Sequence, residues 1–463
     1  MRSMNRIALR TNIALLIALL LLAGLVFFLV EYTMDSEKWV MSEGSPHVYN
    51  GKVNINTGVA VDRDGTILLD MRDGRTYSNV ESIRASTIHW VGDRSGNVIA
   101  PALGEYASDI VGYDSFNGLY SYGQTGGVAR MTLSAQVQAI ALEAMGDYRG
   151  TVAVYNYKTG ELICAVSTKT FDPDNAPVIT EENQDQYDSI YYNRFTQGLY
   201  IPGSIFKIVT LAAALEEIPD IQQQKFMCRG EYEIGNKTIK CDGVHWEQNL
   251  QMAFRNSCNC AFAQISEQLG GETLNRYVEQ FGLADSIYFD GITTSAGSYS
   301  YEDEDGNGNT YEVAWSSIGQ YKDQINPCAF MTFVGAIANG GQVVYPYVIE
   351  EVSCDGVASY SAKTTKGETI MSKETAQIVS DYMTYNVVDK YGAENFPGLT
   401  VAAKTGTGEV GGEKRPNAML AGFVLNEEYP LAFIVAVEDG GYGKPVCVPI
   451  ISQILAKCTE VLG

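Results

Sequence analysis

The chain is short of positive charge, of histidine and of low-complexity sequence. It carries 32 Lys and Arg against 55 Asp and Glu, a formal net charge of −23. Three of the basic and one of the acidic side chains lie at or before Glu31, which leaves 29 against 54, a net charge of −25, for everything after it. Such a surface repels phosphate backbones and anionic headgroups, so nucleic acid and an anionic membrane surface are excluded as partners. The charge serves to keep the chain soluble. No internal repeat and no long disordered stretch is present, and the apolar share of 46% is that of a globular protein. Histidine occurs three times, and the nucleophile pattern described below does not use it.

Long apolar runs are absent except for one. Ile13 to Val30 is uninterrupted and of a length that crosses a bilayer. Arg2, Arg6 and Arg10 precede it and Glu31 follows, which predicts a cytoplasmic N-terminus. Phe27-Phe28-Leu29-Val30 runs directly into Glu31-Tyr32 with no small-x-small cleavage site, so an uncleaved anchor is expected rather than a signal peptide. Residues 1–12 then form a cytoplasmic tail, 13–30 a single membrane pass, and the remainder lies outside the cell.

Cysteine, with nine residues, is present in odd number, so at least one is free or pairs between molecules. Cys164, Cys328, Cys447 and Cys458 sit in apolar strings, where a small buried thiol is the default. Cys228 and Cys241 instead bracket a hairpin pattern, and a disulfide or two free thiols are both open there. With His245 they make three zinc-type ligands; the fourth is missing, so no metal and no cofactor is assigned. Asp303-x-Asp305-x-Asn307-Gly308 begins like a calcium loop, but position twelve is Ala314, and an acidic surface turn is expected.

Val53 to Asp70 alternates around Asp62-Arg63-Asp64-Gly65, a strand–turn–strand pattern. Gly118 to Gly127 reads as a linker, and Leu133 to Ala144 as an amphipathic helix. Thr151 to Asn156 and Glu161 to Ser167 are strands joined by Tyr157-Lys158-Thr159-Gly160. Residues after Ser204 are apolar almost all round to Glu217, which predicts a buried helix. Helical patterns continue from Leu250 to Leu283; Leu399–Lys404, Asn417–Leu425 and Leu431–Glu438 are strand-like, and Val446–Leu462 closes with a helix. Strands at both ends with helices between them predict an α+β domain, an antiparallel sheet with helices on its faces.

Three short motifs carry chemistry. Ser204-Ile205-Phe206-Lys207 follows Tyr200-Ile201-Pro202-Gly203, and the three-residue spacing sets an amine beside a hydroxyl on one helix face. A weak nucleophile needs such a partner to lose its proton near neutral pH. Ser257-Cys258-Asn259 and Lys404-Thr405-Gly406-Thr407 come next in order. The earlier Lys158-Thr159-Gly160 precedes the serine and lies in a turn, so it is read as structural.

In this order the motifs resemble those of penicillin-binding proteins and serine β-lactamases. From about residue 130 to 463 the chain is similar to class B penicillin-binding proteins, the membrane-anchored D,D-transpeptidases of the cell wall. The likeness includes Met131-Thr132-Leu133, Asn193-Arg194, Ser317-Ile318-Gly319-Gln320 and Ala338-Asn339-Gly340-Gly341; Asp62-Arg63-Asp64-Gly65 is a weaker match. It implies an N-terminal pedestal domain over 32–128 and a transpeptidase domain over 129–463. Too few residues precede the latter for a glycosyltransferase domain, and no appended C-terminal domain is expected. The resemblance implies that Ser204 attacks a D-Ala-D-Ala stem peptide, with Lys207 as base and Lys404 as the cation that lowers its pKa. Ser257 relays a proton, Asn259 holds Lys207 and the substrate amide, and Thr405, Gly406 and Thr407 line the substrate strand. Stem peptides, penicillin and other β-lactams, and a membrane glycan polymerase are the implied partners. Ile201, Ile205, His245-Trp246 and Asn417-Ala418-Met419-Leu420 depart from the family pattern. A hydrolase of β-lactams, a D,D-carboxypeptidase or an idle scaffold are the alternatives; Glu272-Thr273-Leu274-Asn275, which superficially resembles a deacylation element, reads as a solvent-facing helix start.

Overall fold

The computed structural model describes residues 2–41, 45, 48–49, 54–72, 74–114, 119–120, 126–300, 310–412 and 414–463. The calcium-like segment at 303–308, and all but Gly126 and Gly127 of the part of the linker after Tyr120, lie outside them. The N-terminal apolar run sits within a longer helix, Arg2–Val40, whose side chains over the run are exposed. Of it, Met4–Ser36 is long and apolar enough to cross a membrane.

The centre of the molecule is a five-stranded antiparallel sheet in the order Val401–Gly408, Asn417–Val424, Leu431–Glu438, Arg149–Asn156, Leu162–Thr168. Its inner strands are buried on both faces, which is why they read as apolar runs rather than alternating ones. Val152 and Val154 point to one core, closed by the helices Ala135–Met145 and Gly443–Leu462. Ala153 and Tyr155 point to the other, which holds the helix Lys207–Glu217 and the helix Pro327–Ala338. The expected strands and closing helix are therefore present, with ends shifted by a few residues.

A second sheet joins the N-terminal part to the rest. Its order is Val357–Ser361, Ile349–Cys354, Val128–Met131, Val59–Val61, Ile67–Asp70, Thr76–Tyr77. Val59–Val61 and Val128–Met131 run parallel in it and the other neighbours antiparallel. Strands from either side of residue 128 thus share one hydrogen-bonded layer.

The Leu250–Leu283 region is three helices, Leu250–Asn256, Asn259–Leu269 and Gly271–Gln280. The first break falls at Ser257, which has a left-handed backbone (φ 56°), an uncommon state for a residue with a Cβ. That break carries the second motif.

Candidate active site

Ser204 does not lie in the α-helix proper. Gly203–Phe206 forms a 3₁₀ turn that runs into the α-helix Lys207–Glu217. The side-chain pairing survives this, because residues three apart eclipse one another in a 3₁₀ turn. Lys207 Nζ lies 3.0 Å from Ser204 Oγ. The same nitrogen is 2.7 Å from the Ser257 carbonyl oxygen, 3.2 Å from Ser257 Oγ and 2.7 Å from Asn259 Oδ1. Lys404 Nζ donates to Ser257 Oγ at 3.0 Å and to its neighbour's carbonyl, Thr405 O, at 2.9 Å. The Ser257 hydroxyl is thus shared between two amines, and the amine of Lys207 between two hydroxyls.

Both lysines are buried while Ser204 is half-buried at the rim. Aromatic rings back each amine, Phe262 at 5.6 Å from Lys207 and Phe254 at 5.8 Å from Lys404. Burial pulls Lys207 down to about 8, opposed by Cys258, Cys241 and Asp242 nearby, with Lys390 the repelling cation. Burial also holds Lys404 well below its ordinary range, and the charge of Lys207 adds to this. Desolvation, rather than Lys404, is therefore the leading cause of the Lys207 shift.

The third motif occupies the sheet's edge strand, Val401–Gly408. Lys404, Gly406 and Gly408 alternate with Thr405 and Thr407 along it. The strand packs backbone to backbone on the serine segment. A Cβ at Gly406 would fall 2.5 Å from Pro202 O, one at Gly408 2.0 Å from Ile201 O, and one at Gly203 2.2 Å from Thr407 O. Gly406 is thus required for close approach of the strand. Thr405 Oγ1 and its N–H both lie 3.1 Å from the Tyr391 hydroxyl. Gln320 donates to Thr407 O at 3.0 Å and accepts from the Glu409 N–H at 3.1 Å, while Gly203 N–H bonds to Gly319 O at 2.8 Å.

All eight residues singled out from the sequence come together here. Tyr391 was not among them: it ends a π-helical turn that no local pattern announces. Gln320 was visible only as part of the Ser317–Gln320 likeness. The second Lys-Thr-Gly is a surface turn, with Gly160 at φ 93° and Lys158 bonded to Asn339 Oδ1 at 2.8 Å. Glu272 is exposed at the start of its helix. No disulfide joins Cys228 to Cys241; both thiols are free, and they gather with Cys258 and Cys260 into one group.

Residues 150–456 match the family model described as penicillin binding protein transpeptidase domain. The peptidoglycan D,D-transpeptidase PbpA of Mycolicibacterium smegmatis is 30% identical over 345 residues, which cover 68% of this chain and 68% of that protein. Stage V sporulation protein D of Bacillus subtilis is 28% identical over 72% of this chain, an alignment that spans 54% of the relative. Among solved structures, the D,D-transpeptidase domain of a peptidoglycan glycosyltransferase from Eggerthella lenta superposes with a TM-score of 0.75 at 28% identity, over 88% of this chain and 99% of that one.

Proposed function

The chain belongs to the penicillin-binding protein transpeptidase family, and from that premise we propose that it is a peptidoglycan D,D-transpeptidase whose nucleophile is Ser204. The observation that carries the assignment is the 3.0 Å approach of the buried Lys207 amine to Ser204 Oγ. A neutral Lys207 takes the hydroxyl proton as Ser204 Oγ attacks the carbonyl carbon of the penultimate D-alanine. The carbonyl oxygen becomes an oxyanion, held by the backbone N–H groups of Ser204 and Thr407, each worth about 3 kcal/mol. Collapse breaks the C–N bond, and the departing D-alanine amine receives a proton through Ser257 Oγ, which lies within hydrogen-bond distance of both Lys207 and Lys404. The amine of a neighbouring stem peptide then attacks the ester and releases Ser204, closing a cross-link. Asn259 holds Lys207 in place through Oδ1. Lys404, Thr405 and Thr407 offer the positive charge and hydroxyls that a terminal carboxylate needs.

β-Lactams enter as mimics of the same peptide and leave a stable ester on Ser204. Glu272 is exposed at the start of its helix, which supports reading it as a solvent-facing residue rather than as the base that hydrolyses this ester. The apolar N-terminal helix supports attachment to the cell membrane. The orientation, with residues 1–12 cytoplasmic and the catalytic part outside, is proposed from Arg2, Arg6 and Arg10 ahead of the apolar run, and a membrane glycan polymerase is proposed as partner from the family resemblance alone. Domains over 32–128 and 129–463 remain the proposed division. The test is incubation with a fluorescent penicillin, followed on a denaturing gel. Stable label that disappears in Ser204→Ala is expected. Label that decays within seconds would make the protein a hydrolase, and label that persists in the variant would move the nucleophile elsewhere.

A further inference from the structure

Four thiols surround the far side of the Ser257 turn. Cys228 ends the strand Lys225–Cys228, Cys241 follows the strand Lys237–Lys240, and Cys258 and Cys260 sit at the start of the helix Asn259–Leu269. Their sulfurs all lie within 4.8 Å of one another, and Cys241 Sγ is 3.8 Å from Cys258 Sγ. A tetrahedral ion with sulfur ligands at about 2.3 Å separates those sulfurs by about 3.8 Å. The group needs little contraction to close around one. Three of the four residues are buried. The other five cysteines lie outside the group, so crowding of thiols is local rather than a property of the whole core.

We propose that Cys228, Cys241, Cys258 and Cys260 form a closed tetrathiolate site for a zinc ion that fixes the turn carrying Ser257 and Asn259. Sulfur donors in a closed four-fold set select zinc in a structural role, because no position is left open for a water or substrate. His245 Nδ1, 3.5 Å from Cys228 Sγ and 3.6 Å from Cys241 Sγ, completes the surroundings as an outer partner that hydrogen-bonds the ligand sulfurs.

The register gives the site its consequence. Along Ser257-Cys258-Asn259-Cys260 the site residues alternate with the ligands. Ser257 holds a left-handed backbone without being glycine, a state that persists where its surroundings over-determine it. Two metal bonds two residues apart, one on either side of Asn259, would supply that constraint, so Cys258 and Cys260 are positioning residues for Ser257 and Asn259. This part rests on the transpeptidase reading; the metal site itself does not.

The experiment uses the full chain in detergent. Metal content of protein purified without added zinc should come to one ion per chain. Exchange with cobalt(II) should give the intense visible absorption of a tetrahedral thiolate complex. Both signals should be lost in Cys260→Ser and kept in Cys354→Ser, which lies outside the group. Cobalt-treated wild-type protein without that absorption, or with metal far below one ion per chain, overturns the site even where Cys260→Ser fails to fold. Stripping the ion with a chelator should slow acylation by fluorescent penicillin about tenfold or more, with recovery on adding zinc. Unchanged acylation in stripped protein overturns the positioning role alone. A metal-loaded wild type that takes no label at all would instead count against the transpeptidase reading, leaving the cobalt spectrum to decide the site.

Discussion

Lys207 makes the sharpest prediction at the scale of one residue. Its amine acts as a base only when neutral, and burial brings its pKa to about 8. Below that value the protonated form dominates, so acylation should fall about tenfold per pH unit; above it, acylation should level off. Arginine keeps its proton throughout, so Lys207→Arg should lower the acylation rate by about a hundredfold or more and abolish the rise. Rates of labelling by fluorescent penicillin from about pH 6 to about pH 9.5 would show it, and a flat wild-type profile would remove Lys207 as the base. Ser204, Lys207, Ser257, Asn259 and Lys404 were all legible in the sequence, because two of the motifs are local and the third follows in fixed order. Cys258 and Cys260 were not legible as partners of Cys228 and Cys241. Sequence spacing offered His245, four residues from Cys241, whereas the hairpin folds the sulfurs against a helix start instead. Tyr391 escaped for a similar reason, since its hydroxyl reaches Thr405 from an element with no motif of its own.

At the scale of elements, the site depends on how near an edge strand can come to a 3₁₀ turn. Glycine at 203, 406 and 408 lets two backbones meet with nothing between them. Gly408→Ala puts a methyl group 2.0 Å from Ile201 O, and a backbone atom cannot turn aside as a side chain can. The strand must move outward, carrying Thr407 and Lys404 with it. We expect a loss of stability of about 1–3 kcal/mol and a fall in acylation of about a hundredfold. Gly104→Ala is the matched control: it lies in a helix with open space around its would-be Cβ and should be neutral or slightly stabilising. Thermal melts and labelling rates of both variants decide the matter; equal labelling in the two would show that close approach is not what the glycines provide. The element types that were read, such as the buried helix after Ser204 and the paired strands around 151–167, hold because period and length distinguish the two; the helices Glu81–Val91, Pro327–Ala338 and Lys373–Asn386 were not read. The 3₁₀ start was not read, and how closely the glycines let strand and turn approach depends on distances between segments far apart in the chain.

At the scale of the whole molecule, the N-terminal part and the catalytic part are tied together by more than a linker. Trp90 Nε1 donates to Ala165 O at 2.7 Å, and Gln138 joins Ser86 O to the Ala165 N–H. Asp62 is the centre of a further tie. It is buried at 1% exposure, accepts from Asp64 N–H and Thr66 N–H through Oδ1, and from Ala135 N–H through Oδ2. The sequence showed Asp62 as a turn residue only; its second oxygen acts at the start of the helix Ala135–Met145, across the shared sheet. Asp62→Ala removes the acceptor for three backbone donors at once, at a cost of about 3 kcal/mol. Asp62→Asn keeps one oxygen and should recover part of it. Amide hydrogen exchange separates a local from a joining role. A joining Asp62 predicts that peptides covering 62–70 and 133–138 lose protection together in Asp62→Ala. Lost protection confined to 62–70 would reduce Asp62 to a turn former and leave the two parts held by the sheet, Trp90 and Gln138. Because the strand Arg149–Asn156 follows the Ala135–Met145 helix directly and lies in the catalytic sheet, loosening that helix should also slow acylation, though Asp62 touches no group of the site.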